Sequence, residues 1–147
     1  MIFKGGMIMS KVPYEVGRSV TVSKTIGESD VYLFAGITGD FFRNHIDEEY
    51  MKTTPYGHRI AHGVLSLALA STASSKFTED CPVPVVSAGY DHVRFLAPVF
   101  IGDTLTVHYV CDSIDEEKMR SYAKIEVNNQ KGDLVMVAVH ILKYFAE

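Results

Sequence analysis

Cysteine, basic runs and long apolar segments are all scarce in this chain, and each shortage excludes a class of protein. Its two cysteines, Cys81 and Cys111, form no C-x-x-C motif and have no metal-binding companions, which indicates free thiols in a reducing, cytoplasmic setting. The net charge is −4 and no Lys/Arg run occurs, so neither a nucleic-acid backbone nor an anionic membrane surface is expected as a partner.

No segment has the continuous apolar length of a membrane span or the character of a signal peptide. Residues 1–12 are expected to form a loosely ordered N-terminus, and no Pro/Gly/Ser-rich linker or internal repeat divides the rest of the chain. The 147 residues therefore predict a single domain over 1–147 that builds its core without disulfide bonds.

The N-terminal half combines one strand with short helices. Residues 19–26 alternate in polarity and are rich in β-branched side chains, which is typical of a strand. Residues 31–37 have apolar side chains at helical spacing, with Ser29 or Asp30 as the cap, and residues 47–52 predict another short helix.

Residues 63–77 form the strongest predicted helix. Its apolar positions spread around the circumference, so the helix should be buried on nearly every side. Those positions are Leu65, Leu67, Ala68, Leu69 and Ala73. Four strand-type segments follow, at residues 83–95, 104–111, 120–128 and 134–144. This order predicts an α+β fold in which a meander-like antiparallel sheet wraps the helix.

Asp40 and His45 lie five positions apart. On an ideal α-helix these positions would be roughly 140° apart around the axis, so a loop opened by Gly39 is needed to aim both side chains at one point. A carboxylate beside an imidazole forms an acid–base pair, because each shifts the other's pKa and the two can hold opposite protonation states near neutral pH. The pair indicates chemistry that moves protons on and off carbon and water.

The start of the long helix supplies a second feature, His62 followed by Gly63. The Gly63 N–H and the helix dipole could point at a developing oxyanion, and glycine lets a substrate approach closely. His62 lies beside this position, where it either fastens the turn or contacts the substrate.

Three ordered motifs carry a family resemblance. Residues 34–47 read F-A-x-x-T-G-D-x-x-x-x-H-x-D, residues 56–63 read Y-G-x-x-I-A-H-G, and residues 95–105 read F-x-x-P-V-x-x-G-D-T-L. From about Val16 to its C-terminus the chain resembles the MaoC-like dehydratase family, whose members include (R)-specific enoyl-CoA hydratases. The resemblance implies a hotdog fold, in which a curved antiparallel sheet wraps a long central helix, and a homodimer or higher homo-oligomer.

The resemblance also implies reversible addition of water to a 2-enoyl-CoA thioester, with no cofactor besides the CoA of the substrate. The Asp and His of the family motif fall on Asp40 and His45. On this hypothesis Asp40 takes a proton from the attacking water and His45 delivers a proton to the α-carbon, while the Gly63 N–H stabilises charge on the thioester oxygen.

Nearby cations complete the predicted site. Arg43, Lys52 and Arg59 could meet the phosphates of CoA, and a solvated face would explain each of them equally well. His58 and His62 are spaced i, i+4, but the flanking glycines argue against a helix there and no third ligand is evident, so no metal site is expected.

One departure from the family pattern keeps other functions open. The family usually reads D-x-N-P-x-H, whereas this chain has Phe42 and Arg43 at the Asn-Pro positions. A non-catalytic acyl-CoA binding module would tolerate that change, and a hotdog thioesterase would use the same fold but add water at the carbonyl. Asp40 could also merely cap a turn, with His45 a satisfied loop histidine. The retained spacing of Asp40 and His45 favours the hydratase.

Overall fold

The computed structural model describes residues 11–145. Within that range the chain forms five strands and four helices. In chain order they are β1 (Ser19–Thr25), α1 (Glu28–Thr38), α2 (Arg43–Ile46), α3 (Glu48–Met51), α4 (Gly63–Phe77), β2 (Val85–Phe95), β3 (Thr104–Asp115), β4 (Arg120–Asn128) and β5 (Leu134–Tyr144).

The bounds of α4, β4 and β5 are those that the sequence predicts, and α3 lies within the predicted short helix. β3 differs, because it continues past the predicted end at Cys111 as far as Asp115. A register shift between Cys111 and Ser113 absorbs an extra residue, so pairing with β4 resumes beyond it.

α1 begins earlier than predicted, and neither Ser29 nor Asp30 is its N-cap. Gly27 is the N-cap, and its backbone N–H donates to Asp30 Oδ2 at 2.8 Å. Asp30 occupies the third helical position and reaches back to the cap, as the acidic residue of a capping box does. The Asp30 carboxylate therefore helps to cap the helix, but from a position inside the helix.

The five strands form one antiparallel sheet in the order β1-β3-β4-β5-β2. The expected meander is formed only by β3, β4 and β5, because β2 lies at the far edge of the sheet and pairs with β5 instead of β3. α4 packs against β1, β3 and β5. A five-stranded antiparallel sheet around one long helix is the hotdog fold that the resemblance implies.

α4 is buried along one stripe, and the prediction that it is covered on nearly every side is wrong for the single chain. The buried positions are Ser66, Ala70, Ala73, Ser74 and Phe77. Four of these side chains are small, so the helix backbone lies close to the sheet and the leucines are pushed to the flanks, where they are half-buried. Val64, on the outer side, is 53% exposed.

The predicted loose N-terminus falls mostly on residues 1–10, which lie outside the described residues. The expectation does not hold for Val12, which is buried and whose backbone N–H donates to Glu116 Oε2 at 2.7 Å. Among the helices of the described chain, none combines the length and the apolar character needed to cross a membrane.

Candidate active site

Asp40 leaves α1 at a sharp turn. The helix ends at Thr38. Gly39 caps it, with a φ of +79° in the left-handed region that glycine adopts readily, and its N–H donates to the Ala35 carbonyl at 2.8 Å. Asp40 follows, and its Oδ1 accepts the Phe42 N–H at 3.2 Å. The carboxylate itself therefore closes the turn where the family uses Asn-Pro. The side chain is 53% exposed, so a substrate can reach it.

His45 lies on α2, a single helical turn, and not in the open loop that its spacing from Asp40 predicts. Its Nδ1 is 2.7 Å from the Ile60 carbonyl oxygen. Because a carbonyl oxygen can only accept a hydrogen bond, Nδ1 carries the hydrogen and Nε2 is left to take up or release a proton. The bond to Ile60 also fixes the orientation of the ring.

His62 contacts both Asp40 and His45. It is 3% exposed, and its Nε2 donates to the main-chain carbonyl of Asp40 at 2.9 Å. Its ring stacks on that of His45 with centroids 3.7 Å apart, and Phe34 packs against it at 4.9 Å. Its Nδ1 is buried and finds no hydrogen-bond partner among the described residues. His62 therefore holds the Asp40 backbone and the His45 ring in one arrangement.

Gly63 begins α4, and the Phe95 ring covers it. A Cβ at position 63 would lie 3.0 to 3.2 Å from three atoms of that ring, closer than carbon atoms normally approach. The Gly63 N–H has no intrahelical acceptor, since no helical residue precedes it. Glycine thus allows Phe95 to pack on the helix start.

A cavity of about 340 Å³ opens beside these groups. His45 and Gly63 line it together with apolar side chains, among them Tyr56, Phe95 and Pro98. The His45 side chain and the start of α4 therefore border a largely apolar space.

The structure brings Asp40, His45, His62 and Gly63 together. Asp40, His45 and His62 each have a nitrogen or oxygen atom within 4.8 Å of the others. One carboxylate and two imidazoles are also a set of ligands that can bind zinc. The His62 nitrogen nearest Asp40 carries the hydrogen that it donates to the carbonyl, so it has no lone pair for a cation. The arrangement suits proton transfer better than metal binding, and the expectation that no metal takes part stays a prediction.

Arg43 and Lys52 are exposed and have carboxylate partners of their own. Arg43 donates to Asp47 from Nε at 3.0 Å and from Nη2 at 2.9 Å, and its guanidinium lies over the Tyr50 ring. Lys52 donates to Glu49 at 2.6 Å. Exposed pairs of this kind exchange partners readily, so both side chains can still turn toward an anionic ligand.

Arg59 is held more firmly. Its side chain is 17% exposed, and its guanidinium bonds to Glu28, Glu48 and the Tyr32 hydroxyl. The bond from His58, followed by the bond from the Arg59 N–H, lowers the pKa of Glu48 to about 2. Arg59 thus ties α1 to α3 and borders a separate cavity of about 380 Å³. A role in binding CoA stays a prediction for all three cations.

Sequence reasoning missed the contributions of Phe95 and Ile60. Phe95 stands in one of the recognised motifs, at the end of a predicted strand, but its packing on Gly63 joins two distant segments and leaves no local signal. Ile60 acts through its backbone carbonyl, which any residue type would supply.

The fold and the site define a hotdog protein with a carboxylate–imidazole pair beside the start of its central helix. Comparison with known families gives the same result, since the profile described as MaoC like domain matches residues 8–132. The chain belongs to the MaoC-like domain family.

Individual relatives cover most of the chain. An (R)-specific enoyl-CoA hydratase from Rhodospirillum rubrum is 40% identical over 102 residues, which cover 69% of this chain and 69% of that protein. A 3-hydroxybutyryl-CoA dehydratase from Methylorubrum extorquens is 34% identical over 123 residues, 84% of this chain and 75% of that protein. The solved structure of an (R)-hydratase from A. caviae involved in PHA biosynthesis has a TM-score of 0.81 and 27% identity, over 89% of this chain and 97% of that one.

Proposed function

We propose that this protein catalyses the reversible hydration of 2-enoyl-CoA thioesters to 3-hydroxyacyl-CoA. The observation that carries the proposal is that Asp40, His45 and His62 have polar side-chain atoms within 4.8 Å of one another, while His45 and Gly63 line an apolar cavity. The relatives named as hydratase and as dehydratase support it, because addition and loss of water are two directions of one reaction.

In the hydration direction, the Asp40 carboxylate removes a proton from water as the water oxygen bonds to the β-carbon. Electrons of the double bond move toward the thioester carbonyl, whose oxygen gains charge beside the Gly63 N–H. His45, protonated at both nitrogens, delivers its Nε2 proton to the α-carbon while Nδ1–H stays bonded to Ile60. The proton held by Asp40 then returns to His45, directly or through solvent, and the cycle closes.

His62 is a positioning residue in this scheme. Its hydrogen bond holds the Asp40 backbone, and its ring supports the His45 ring from one side. Catalysis by two groups on one substrate requires that their separation be kept within a fraction of an ångström. His62 sets that separation without touching the substrate.

The turn at Asp40 supports catalysis over binding alone. The bond between the Phe42 N–H and Asp40 Oδ1 replaces the support that Asn-Pro would supply, so the changed loop still presents a carboxylate and an imidazole at one place. A module that only binds acyl-CoA has no need for that pair. A thioesterase would use the same groups at the carbonyl carbon, and its product distinguishes it.

The protein is further proposed to act as a homodimer in the cytoplasm. Val64 on the outer side of α4 is 53% exposed, and β1 and β2 are edge strands within the described chain. Pairing with a second copy would cover such surfaces. Both cysteines are free, which supports a reducing compartment.

The test follows the absorbance of the conjugated enoyl thioester for short, long and branched 2-enoyl-CoAs, with a free-thiol assay in parallel. We expect the absorbance to fall without thiol release, and His45→Ala to abolish the change. His108→Ala, at an exposed position on β3, is the matched control and should behave like the wild type. Thiol release would identify a thioesterase. If neither the absorbance nor the free thiol changes with any of the 2-enoyl-CoAs, a binding role would remain.

A further inference from the structure

The segment of residues 57–61, between α3 and α4, fixes the orientation of the His45 ring. The Ile60 carbonyl accepts the hydrogen of His45 Nδ1 at 2.7 Å, so the position of this carbonyl decides which ring nitrogen is left free. The segment belongs to no helix or named strand, and Ile60 forms an isolated bridge with Phe100. Groups outside the segment therefore determine where the Ile60 carbonyl lies.

Three consecutive backbone N–H groups, at residues 59–61, anchor this segment. The first, of Arg59, donates to Glu48 Oε2 at 3.0 Å. The next two donate to the main-chain carbonyls of Asn44 and Val99, at 3.0 Å and 2.7 Å. Any residue type supplies a main-chain carbonyl, whereas the first anchor depends on the Glu48 side chain. A substitution at position 48 can therefore remove one anchor and leave the other two.

Glu48 binds the segment through both of its carboxylate oxygens. Oε1 accepts from His58 Nδ1 at 2.7 Å, and Oε2 also accepts from Arg59 Nε at 3.3 Å. The bond from His58, followed by the bond from the Arg59 N–H, lowers the pKa of Glu48 to about 2. The carboxylate is therefore ionised near neutral pH, and both oxygens act as acceptors there.

Arg59 extends this contact to the helix that precedes Asp40. Its guanidinium bonds to two side chains of α1, the Glu28 carboxylate and the Tyr32 hydroxyl. The Arg59 side chain is 17% exposed, so these bonds are largely shielded from water. Glu48 thus contacts, through one arginine, both the segment that orients the imidazole and the helix that delivers the carboxylate.

We propose that Glu48 is a positioning residue, which holds the Ile60 carbonyl against His45 Nδ1 and so keeps Nε2 free for proton transfer. This role rests on the function proposed above. Without Glu48 the Arg59 N–H loses its acceptor, and the segment can move away from α2. A ring that loses its bond to Ile60 can carry its hydrogen on either nitrogen, and in the Nε2–H form Nε2 cannot take up a proton.

The first measurement follows the His45 ring directly. Nitrogen NMR resonances of the ring, assigned by comparison with His45→Ala, distinguish the Nδ1–H from the Nε2–H form at a pH where the imidazole is neutral. We expect the Nδ1–H form in the wild type and a mixture of both forms in Glu48→Ala. Glu48→Gln should retain the Nδ1–H form, because its amide oxygen can accept the Arg59 N–H while its NH₂ group donates to a neutral His58.

The second measurement is hydration of trans-2-butenoyl-CoA. Glu48→Ala should lower kcat about three- to tenfold and leave KM unchanged, since the effect falls on the arrangement of the reacting groups. Glu48→Gln should restore most of the loss. Glu49→Ala is the matched control, because Glu49 is the next residue on α3, is 83% exposed and pairs with Lys52. It should show the wild-type ring and the wild-type kcat.

Glu48→Asp serves if Glu48→Ala does not fold. It keeps the charge, but its side chain is one methylene shorter and does not reach both His58 and the Arg59 N–H, so we expect the same mixture of ring forms. A wild-type ring or a wild-type kcat in Glu48→Ala would overturn the proposal. A raised KM with unchanged kcat would also overturn it, by placing Glu48 in substrate binding.

Equal losses in Glu48→Ala and Glu48→Gln would show that the charge of Glu48 matters and its hydrogen bonds do not, which contradicts a positioning role. Failure of the wild type to hydrate any 2-enoyl-CoA would instead count against the proposed function. The NMR measurement would then still decide whether Glu48 orients the His45 ring.

Discussion

The two histidine sites along α4 differ in what each ring leaves free. At the N-terminal end, His45 is half-buried and bonds through Nδ1 alone, so Nε2 can exchange a proton. Against the C-terminal half, His140 is buried and bonds through both nitrogens. One helix thus separates a site built for proton transfer from a site that keeps a constant, neutral charge. We expect changes at the first to act on turnover and changes at the second to act on stability.

The largest effect on turnover is expected when the carboxylate of the first site is removed. Asp40→Asn should lower turnover by roughly 10² to 10⁴ while the fold survives, because the new amide oxygen can still accept the Phe42 N–H. The absorbance assay measures turnover, and circular dichroism confirms folding. Asp112→Asn, an exposed aspartate paired with Lys124, is the control. A folded Asp40→Asn protein with undiminished turnover would remove Asp40 from the proposed role.

The second prediction concerns the pH dependence of stability. The ordinary pKa of His140 is 6.5 and burial lowers it to about 4, so between these values the unfolded chain binds a proton that the folded chain refuses. The free energy of unfolding should therefore decrease as the pH falls from 7 to 5, by roughly 2 kcal/mol from this residue. The facing Tyr90 and Tyr109 do not titrate in that range, since burial raises the pKa of both.

Denaturant unfolding at several pH values measures this effect. His140→Gln stays neutral throughout and should flatten the dependence between pH 7 and 5, whereas His108→Gln, at an exposed position, should leave it in place. The same slope in the wild type and in His140→Gln would mean that folded His140 accepts the proton.

A smaller effect is expected at the start of α4. Gly63→Ala should destabilise the protein by about 1 kcal/mol and reduce kcat/KM, because the new Cβ meets the Phe95 ring at 3.0 to 3.2 Å. The half-exposed ring can turn aside, which keeps the cost low. In a Phe95→Leu protein, Gly63→Ala should lower the free energy of unfolding by less than it does in the wild type.

Gly36→Ala is the matched control for this pair. Position 36 lies inside α1, and a Cβ there would meet nothing within 4 Å. Alanine is a better helix former than glycine, so this change should stabilise the protein by up to about 1 kcal/mol. A loss of stability at position 36 similar to that at position 63 would show that the Phe95 contact is not the cause.

The smallest effects on stability are expected for Arg59 and Arg43, the two arginines near the first site. Arg59→Gln should lower the free energy of unfolding by about 1 kcal/mol, because Glu28 and Glu48 lose a shared, largely buried partner. Arg43→Gln should cost less than about 0.5 kcal/mol, since its pair is exposed. If either residue binds the phosphates of CoA, its substitution will raise KM. An unchanged KM would limit the residue to a structural role.

Much of the fold was predictable because helices and strands have local periods. The bounds of α4, β4 and β5 follow from spacing and turn residues alone. The stripe of α4 that faces the sheet was not predictable in this way, because apolar character favoured the leucines while close packing selected Ser66, Ala70 and Ala73. The position of β2 at the sheet edge was missed for a related reason, since no local pattern states which strand a segment will pair with.

By itself, the sequence determined the elements, their order and the types of residue available for chemistry, because these depend on backbone preferences and on spacing over a few positions. Only the tertiary structure decided that His62 stacks on His45, that Phe95 covers Gly63, and that His140 lies between Ser87 and Tyr109. Each of these contacts joins residues far apart in the chain. Such contacts depend on how the helix and the sheet pack, and packing is a property of the whole molecule.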